Sequence, residues 1–304
     1  LVSVKYEIFD SDKDLVKWKK ILSLLPDELQ DIYFYPEYVG MHKFIKGTKS
    51  LLFTLKEEEN IWLLPFLLQP IDSDVFSLNL GPWFDIESVY GYGGPLSNTE
   101  DKDFLDNANE KFSEWCMENN VVADFVRFHP IIENEKWASE FHSIKQLRYT
   151  LSVKSGGHEE HIYNNPKVRN MIKRAKKNNV TVHKINTDQY FQSFLDIYHQ
   201  NMERINADKY YRFNKNYFSE LKKMVNKNGY LVGAIKDGEL IGASIFLFGK
   251  KNLHYHLSAT GNQCDITGVS NSLIDTGIHI CRKNTMNLLH LGGGNSNSKN
   301  DNLY

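Results

Sequence analysis

Hydrophobic periodicity divides the first half of the chain into strands and helices. Short runs with alternating apolar residues predict strands, and apolar residues spaced three or four apart predict helices. The longest predicted helix in this half has helical spacing at Phe104, Leu105, Ala108, Phe112 and Trp115. The predicted strands are Val2–Phe9, Leu51–Lys56, Ile61–Ile71, Val121–Phe128 and Leu147–Val153, and the predicted helices are Asp12–Leu24, a segment from Pro36, and Asp101–Asn120.

The second half has the same kinds of pattern. Glycine, asparagine and aspartate lie in the turns at 236–239 and 249–252, which predicts tight hairpins between three consecutive strands. The predicted helices are Pro166–Lys177, Thr187–Arg204, Asn214–Asn226 and Val269–Lys283, and the predicted strands are Val180–Ile185, Tyr230–Lys236, Leu240–Phe248, Asn252–Ala259 and Met286–Leu291.

Both halves share one order of elements, which is two helices, a three-stranded meander, a helix and a strand. This order predicts an α/β (α+β) fold with mixed sheets flanked by helices and an internal structural duplication. The boundary is expected near the Ser155-Gly156-Gly157 turn, giving domains at 1–155 and 156–304. Because the chain stops just after a glycine triplet, we expect it to be part of a longer protein.

Composition argues against a general nucleic-acid-binding protein, a disulfide-rich protein and a membrane-spanning protein. The net charge of −2 makes any nucleic-acid or membrane contact local rather than global. The cysteines Cys116, Cys264 and Cys281 lack the paired spacing of a zinc site or disulfide framework, so a reducing compartment is expected. The longest apolar run, Ile61–Leu68, contains Pro65 and is too short to span a bilayer. We therefore expect a cytoplasmic protein that binds no metal.

A glycine-rich loop and a polar strand end are the candidate site residues of the first half. In the loop 90–95, Gly94 would let the backbone approach a ligand, while Tyr90 and Tyr92 would supply hydroxyls or stacking faces. Arg127 suits a carboxylate or phosphate, and His129 could relay a proton near neutral pH. The alternatives are an ordinary surface loop and an arginine paired with a neighbouring acid.

The strand 252–259 and the segment after it carry the candidates of the second half. His254 and His256 are two residues apart, so both are expected on one face of the strand, opposite Tyr255 and Leu257. A strand that leads through a loop into a helix can present backbone N–H groups to an anion. The residues expected at that helix start are Gly268, Ser270 and Asn271, and the glycines after the last strand include Gly292 and Gly293.

Two further segments are candidates for ligand contact. Six cations in eleven residues make the predicted helix 166–177 a phosphate- or tRNA-attracting surface, or simply a solvated basic face. Arg204 and Tyr211 flank a polar, aromatic segment between two helices, where they would line a pocket or serve as packing groups. Cys264 has no evident His–Asp partner motif and is not assigned as a nucleophile.

Taken in order, six motifs resemble the FemABX-like branch of the GNAT acyltransferase superfamily over about Tyr90–Gly294. They are Tyr-Gly-Tyr-Gly-Gly-Pro (90–95), Val-Arg-Phe-His-Pro (126–130), Met-Glu-Arg (202–204), Tyr-Tyr-Arg-Phe (210–213), Tyr-His-Leu-Ser-Ala-Thr (255–260) and Leu-Gly-Gly-Gly (291–294). The resemblance implies two tandem GNAT-type domains, of which the second is expected to be truncated at its end. It also implies transfer of an acyl or aminoacyl group to an amine, usually on a cell-wall or surface-polysaccharide precursor.

On this interpretation the amine attacks the donor carbonyl directly in a ternary complex, mainly in the second domain. Backbone N–H groups of the strand 252–259 would stabilise the oxyanion. The assigned roles are catalytic for His256, Arg204 and Tyr211, substrate-binding for Tyr90, Tyr92, Gly94, Arg127, His129, His254, Gly292 and Gly293, and donor-binding for Gly268, Ser270 and Asn271.

The sequence does not determine the identity of the donor or of the acceptor. Members of this family that use aminoacyl-tRNA often carry a helical arm with a heptad pattern, and the sequence shows no such pattern. Members that use coenzyme A carry a glycine-rich loop, and the loop 261–270 keeps only Gly268 of that pattern. The donor is thus aminoacyl-tRNA or acyl-CoA. The expected acceptor is a nucleotide-sugar or lipid-linked sugar precursor, with tRNA and a peripheral membrane surface as further possible partners. The alternatives are a coenzyme-A-dependent N-acyltransferase acting on an amino sugar and a non-catalytic GNAT-fold binding or scaffold protein.

Overall fold

The chain divides into two compact units between Gln146 and Leu147. The computed structural model describes residues 5–72, 82–140, 142–156, 165–207, 213–261 and 268–293.

The first unit is built on a mixed sheet of order β1-β2-β3-β4-β6, in which the short β5 also pairs with β3. Its strands are β1 (Tyr6–Asp10), β2 (Lys49–Glu57), β3 (Asn60–Pro70), β4 (Phe84–Glu87), β5 (Leu96–Ser97) and β6 (Val121–Phe125). Its α-helices are α1 (Leu15–Leu22), α2 (Pro36–Gly40) and α3 (Lys102–Glu118), with short 3-10 helices at Asp27–Leu29, Ile32–Phe34 and Asn134–Trp137.

Capping and periodicity account for α3. The Asp101 side chain accepts a hydrogen bond from the Phe104 N–H at 3.1 Å and so begins the helix. Four of the five predicted apolar positions, all but Leu105, are buried. Phe112 packs edge-on against the ring of Phe53, with ring centroids 5.3 Å apart. This helix therefore covers the aromatic core of the first sheet.

The second unit has a mixed sheet of order β7-β12-β11-β10-β9-β8. Its strands are β7 (Thr150–Lys154), β8 (Thr181–Lys184), β9 (Gly229–Lys236), β10 (Glu239–Phe248), β11 (Asn252–Thr260) and β12 (Leu288–Gly293). Its helices are α4 (Pro166–Lys177), α5 (Thr187–Arg204), α6 (Lys215–Asn228) and α7 (Val269–Lys283). The helices α4, α5 and α6 each begin after an asparagine whose side chain accepts a first-turn N–H.

The predicted duplication is confirmed by the order and direction of the strands. In each unit a strand and two helices precede an antiparallel meander, and a helix then leads to a final strand. That strand is parallel to the last strand of the meander, β6 to β4 and β12 to β11. The remaining pairs along each sheet are antiparallel.

One predicted strand belongs to the other half of the molecule. The segment 147–153 was expected to close the first half, but β7 pairs antiparallel with β12 in the second sheet. The division at Gln146 accordingly falls before β7, whereas the sequence places the boundary at residue 155. Hydrophobic alternation identifies a strand but not its partner, which is why the sequence could not place β7.

Two strands of the first sheet, β4 and β5, were not predicted, because they are too short for a periodic signal. The first residues of the predicted strand Val2–Phe9 lie outside the described part of the chain. Among the described helices, none has the length and apolar character needed to cross a membrane.

Candidate active site

The parallel strands β11 and β12 separate part-way along the second sheet. They pair at Asn252–Leu288, Leu253–Leu289 and His254–His290, with no further paired position among the described residues. β12 stays paired with β7 along its whole length, from Leu288–Lys154 to Gly293–Thr150, while β11 continues along β10 as far as Thr260. The pairing of the two strands therefore ends after the two histidines, and we call the unpaired edge of β11 beyond this point the opening.

Main-chain donors of β11 face this opening. The Gly261 N–H points to β10 and donates to the Ile241 carbonyl at 2.9 Å. Because successive N–H groups of a strand alternate in direction, those of Ser258 and Thr260 point away from β10, toward the side that β12 has left. The opening thus has the type of donor that stabilises an oxyanion.

A bulge at His256 changes which side chains share a face of β11. Ile245 pairs with Leu257 and Phe246 pairs with Tyr255, so His256 is the extra residue. Its Nε2 lies 2.8 Å from the hydroxyl of Tyr217, a fully buried residue of α6. Tyr255 packs instead in the core cluster that includes Val269 of α7.

The bulge also corrects the expectation that Tyr255 and Leu257 share a face. Burial raises the pKa of Tyr255, and its hydrogen bonds to Ser258 and Ser244 act in the opposite direction. Ser258, not Leu257, therefore lies on the side of Tyr255. Strict alternation fails here because the inserted residue shifts every later side chain to the other face.

His254 and His290 form a buried imidazole pair where the two strands diverge. Each is about 1% exposed, and their Nδ1 atoms are 3.4 Å apart. His254 lies between Leu253 and Tyr255, which both face the α7 side. It therefore faces the side of α5 and α6, as His256 does, so the prediction of a shared face for the two histidines is confirmed.

The start of α7 is fixed by close packing. Gly268 has a φ of +96°, and a Cβ there would lie 2.0 Å from the carbonyl oxygen of Met171 in α4. The helix has no side-chain cap, with Ser270 exposed and Asn271 half-buried in its first turn. The structure thus explains Gly268 by helix packing, and donor binding by these three residues stays a prediction.

The arrangement does not include all of the residues predicted to act on the ligands. Arg204 is exposed at the end of α5, and its Nη2 donates to the Asn201 side chain at 2.5 Å. Tyr211 lies outside the described residues. Gly292 and Gly293 pair with β7, on the far side of β12 from β11. Their assigned roles remain predictions.

The candidate residues of the first unit do come together. The Gly93 N–H in the glycine-rich loop donates to the Arg127 carbonyl at 2.7 Å, which holds the loop against the predicted strand end. Tyr90 accepts a hydrogen bond from the Tyr38 hydroxyl at its carbonyl. Gly94, at φ +95°, leaves no room for a Cβ, which would lie 2.8 Å from the side chain of Asn134. The glycines here are required by the fold.

Asn134 connects the loop to His129. Its Nδ2 donates to the carbonyls of Gly93 at 2.8 Å and Pro95 at 2.9 Å, and its Oδ1 accepts from the His129 N–H at 2.7 Å. We expect Asn134→Ala to lower the free energy of unfolding of the first unit by about 2 kcal/mol, because buried main-chain groups lose their partners. Tryptophan fluorescence during urea unfolding measures the stability of the first unit, since all five tryptophans lie in it.

Asn98→Ala is the matched control for Asn134→Ala. Asn98 also makes two side-chain bonds to the main chain, but it is exposed and water can replace them. An equal loss of stability in the two variants would contradict the role given to Asn134.

The His129 ring has a fixed orientation next to a carboxylate. Its Nδ1 accepts long hydrogen bonds, of 3.3 Å, from the N–H groups of Ile131 and Ile132, which places the proton on Nε2 in the neutral ring. Nε2 lies 3.6 Å from Oδ1 of the buried Asp31. An imidazole held in this way can orient a ligand group or take part in proton transfer.

Tyrosines surround this pair. Tyr92 and Tyr33 lie with ring centroids 5.4 Å and 5.7 Å from that of His129. Burial raises the pKa of Tyr92 to about 12, an effect that the nearby Arg127 cation opposes. Burial also raises the pKa of Tyr33 well above its usual value. Both hydroxyls therefore stay protonated and can donate hydrogen bonds.

Both sites include residues that no sequence pattern indicated. Asp31, Tyr33 and Asn134 join the first, while Tyr217 and His290 join the second. These residues lie in separate segments without a shared motif. His290 was the most accessible to prediction, because it precedes the conspicuous glycine triplet.

A pH-dependent ion pair lies beside β6. His142 Nε2 and Asp124 Oδ2 are 2.7 Å apart, and this hydrogen bond raises the pKa of His142 above 6.5, while burial opposes the shift. The stabilisation is therefore present below pH 6.5 and lost as the pH rises through the folded-state pKa. We expect His142→Gln to destabilise the first unit by under about 1 kcal/mol in mild acid and by much less in alkali.

Urea titrations followed by tryptophan fluorescence would measure the effect of His142→Gln. His279→Gln serves as the control, because that histidine and its partner Asp275 lie in the second unit. A difference between wild type and His142→Gln that stays constant with pH would contradict this assignment.

The two units differ at the corresponding point of their sheets. In the first, contact continues after β4 and β6 end, since the Ser88 N–H donates to the Phe125 carbonyl and the Ser88 Oγ accepts from the Arg127 N–H, both at 3.0 Å. Gly93 then bridges to Phe128. In the first unit, the chain's own backbone therefore occupies the position that corresponds to the divergence of β11 and β12 in the second unit.

Comparisons with solved structures agree with this duplicated architecture. FemX matches 99% of this chain and 91% of its own at 12% identity, with a TM-score of 0.65. A tandem GNAT protein from the clavulanic acid biosynthesis pathway matches 97% of this chain and 91% of its own at 11% identity, with a TM-score of 0.50. The chain has a tandem GNAT fold.

L-PGS from Bacillus licheniformis is also similar in fold, with a TM-score of 0.57 and 10% identity over 94% of this chain and 78% of its own. The sequence itself matches no family model and no curated protein. The predicted fold is thus confirmed, and what the site does follows only from its residues.

Proposed function

We propose that this protein transfers an activated acyl or aminoacyl group to an amine of a cell-wall or surface-polysaccharide precursor. The observation that carries the proposal is the separation of β11 from β12 after His254 and His290. It directs the N–H groups of Ser258 and Thr260 toward an opening next to the bulged His256. The tandem GNAT fold supports the same reaction class by analogy.

In the proposed reaction the amine nitrogen attacks the carbonyl carbon of an ester or thioester donor within one ternary complex. The carbonyl oxygen becomes an oxyanion that accepts hydrogen bonds from the Ser258 or Thr260 N–H, and one such donor contributes about 3 to 4 kcal/mol in acyl-transfer enzymes. The donor's alcohol or thiol leaves when the tetrahedral intermediate collapses. No covalent enzyme intermediate is formed.

His256 is the proposed group that orients the amine or takes up its proton. An imidazole within 2.8 Å of the Tyr217 hydroxyl can exchange donor and acceptor roles with it. In the first unit, Arg127, Tyr92 and His129 are proposed to bind an anionic or sugar ligand, because a guanidinium and tyrosine hydroxyls suit such groups. The first turn of α7 is proposed to receive a donor phosphate.

A donor screen tests the proposal. Thermal shift of the intact chain with acetyl-CoA, longer acyl-CoAs, aminoacyl-tRNA and nucleotide sugars would identify ligands, since about 2.7 kcal/mol of stabilisation is expected at about 100 times Kd. Mass spectrometry of a mixture of donor and acceptor would then detect the new amide. Binding of an acyl-CoA would favour N-acylation of an amino sugar. Absence of donor binding and amide formation would favour a non-catalytic binding protein.

A further inference from the structure

The outer surface of α4 is a continuous basic face. At 100° per residue, six cations cover about half of the helix circumference, and no acidic residue interrupts them. These residues are all exposed and comprise Lys167, Arg169, Lys173, Arg174, Lys176 and Lys177.

The opposite side of α4 holds the helix in the second unit. Ala175 is buried in the core cluster, and Val168, Met171 and Ile172 are half-buried. The close approach of Met171 to Gly268 packs α4 tightly against α7. The basic face therefore has a fixed position on a rigid support, and its own apolar residues are turned inward.

Most of these cations have no ion-pair partner among the described residues. None of Lys167, Lys173, Arg174, Lys176 and Lys177 makes an ion pair with any residue that the structure describes. The lysines of α6 differ, since Lys222 pairs with Asp188 and Lys223 with Glu220. With a net charge of −2 for the whole chain, attraction to a polyanion would depend on a local basic surface such as this face.

We propose that the basic face of α4 binds the surface of an anionic lipid bilayer. Long lysine side chains on a convex helix can reach a plane of phosphate groups together. Single-stranded RNA is less well suited, because no aromatic side chain accompanies the cations of α4 to stack on bases. With its apolar residues turned inward, the helix would adsorb by charge alone, so salt should weaken the interaction.

This contact would keep the enzyme beside a lipid-linked acceptor, a consequence that rests on the proposed function. The membrane contact itself needs neither donor nor acceptor. A vesicle-binding experiment therefore tests it separately, and its failure would leave the transfer reaction untouched.

Co-sedimentation with phosphatidylcholine vesicles containing phosphatidylglycerol would measure the interaction, with pure phosphatidylcholine vesicles as reference. Lys173 and Lys177 lie one turn apart on the basic face, so the test variant is Lys173→Gln with Lys177→Gln. Taking about fivefold per cation, the pair should weaken partitioning by about 25-fold. Lys222→Gln with Lys223→Gln removes the same charge from α6 and should change partitioning little.

Salt-sensitive binding to anionic vesicles that is lost only in the α4 variant would support the proposal. Three results would overturn it, namely no sedimentation of the wild-type chain, equal losses in the two double variants, or binding of bulk tRNA without binding of vesicles. The last result would assign the face to nucleic acid. Circular dichroism would check that both variants remain folded.

Discussion

Replacing Gly268 with alanine is expected to destabilise the second unit by about 3 to 5 kcal/mol. The residue has a φ of +96°, which L side chains rarely adopt, and the added Cβ would lie 2.0 Å from the Met171 carbonyl oxygen. Because that oxygen belongs to the backbone of α4, relief requires α4 and α7 to move apart. Urea unfolding followed by far-UV circular dichroism would measure the loss.

The structure provides controls for each part of this prediction. Gly238 also has a positive φ, of +84°, but nothing lies within 4 Å of a Cβ there. Gly238→Ala should therefore cost only about 1 kcal/mol, the conformational part of the effect. The tryptophan fluorescence transition, which belongs to the first unit, should not move in either variant. Equal costs at the two glycines would show that the contact with α4 is unimportant.

His256→Gln is expected to lower kcat of the proposed transfer by about 100-fold or more, in the range of a lost acid–base group. The reason is its position as the extra residue of the bulge, with Nε2 at 2.8 Å from the Tyr217 hydroxyl. Tyr217→Phe keeps the imidazole but removes its partner, so a loss of about tenfold is expected. Steady-state kinetics over a range of pH would distinguish the two variants. Only His256→Gln should remove one side of the plot of kcat against pH, because it removes the proposed acid–base group.

Tyr230→Phe is the matched control for Tyr217→Phe. Tyr230 packs with Phe248 at 5.3 Å between ring centroids and belongs to the cluster on the α7 side of the sheet. Its substitution should leave kcat unchanged. If Tyr217→Phe and His256→Gln were both as active as wild type, the role proposed for this pair would be wrong, whatever the donor.

Local chemistry made several elements predictable. The helices Pro166–Lys177, Thr187–Arg204 and Val269–Lys283 have the bounds that the sequence predicts. Asn165 and Asn186 cap the first two, and Gly268 begins the third. These signals depend on neighbouring residues alone, so they can be read without knowing the fold. The hairpins of the second meander were predictable for the same reason.

The candidate sites depended on contacts that a single segment does not reveal. Tyr217 and His256 are 39 residues apart, and Asp31 and His129 come from opposite ends of the first unit. The bulge at His256 reverses the side-chain alternation of β11 after that residue, and it is visible only in the pairing with β10. The sequence therefore indicates several of the histidines but not their partners.

By itself, the sequence determined that two similar mixed α/β halves follow one another, because helix caps, turn residues and hydrophobic periodicity act over a few residues. Only the tertiary structure decided that β7 belongs to the second sheet, that the first unit closes the position between β4 and β6, and that β11 and β12 diverge. Pairing and register are fixed by residues far apart in the chain, and these long-range contacts place the main-chain donors of β11.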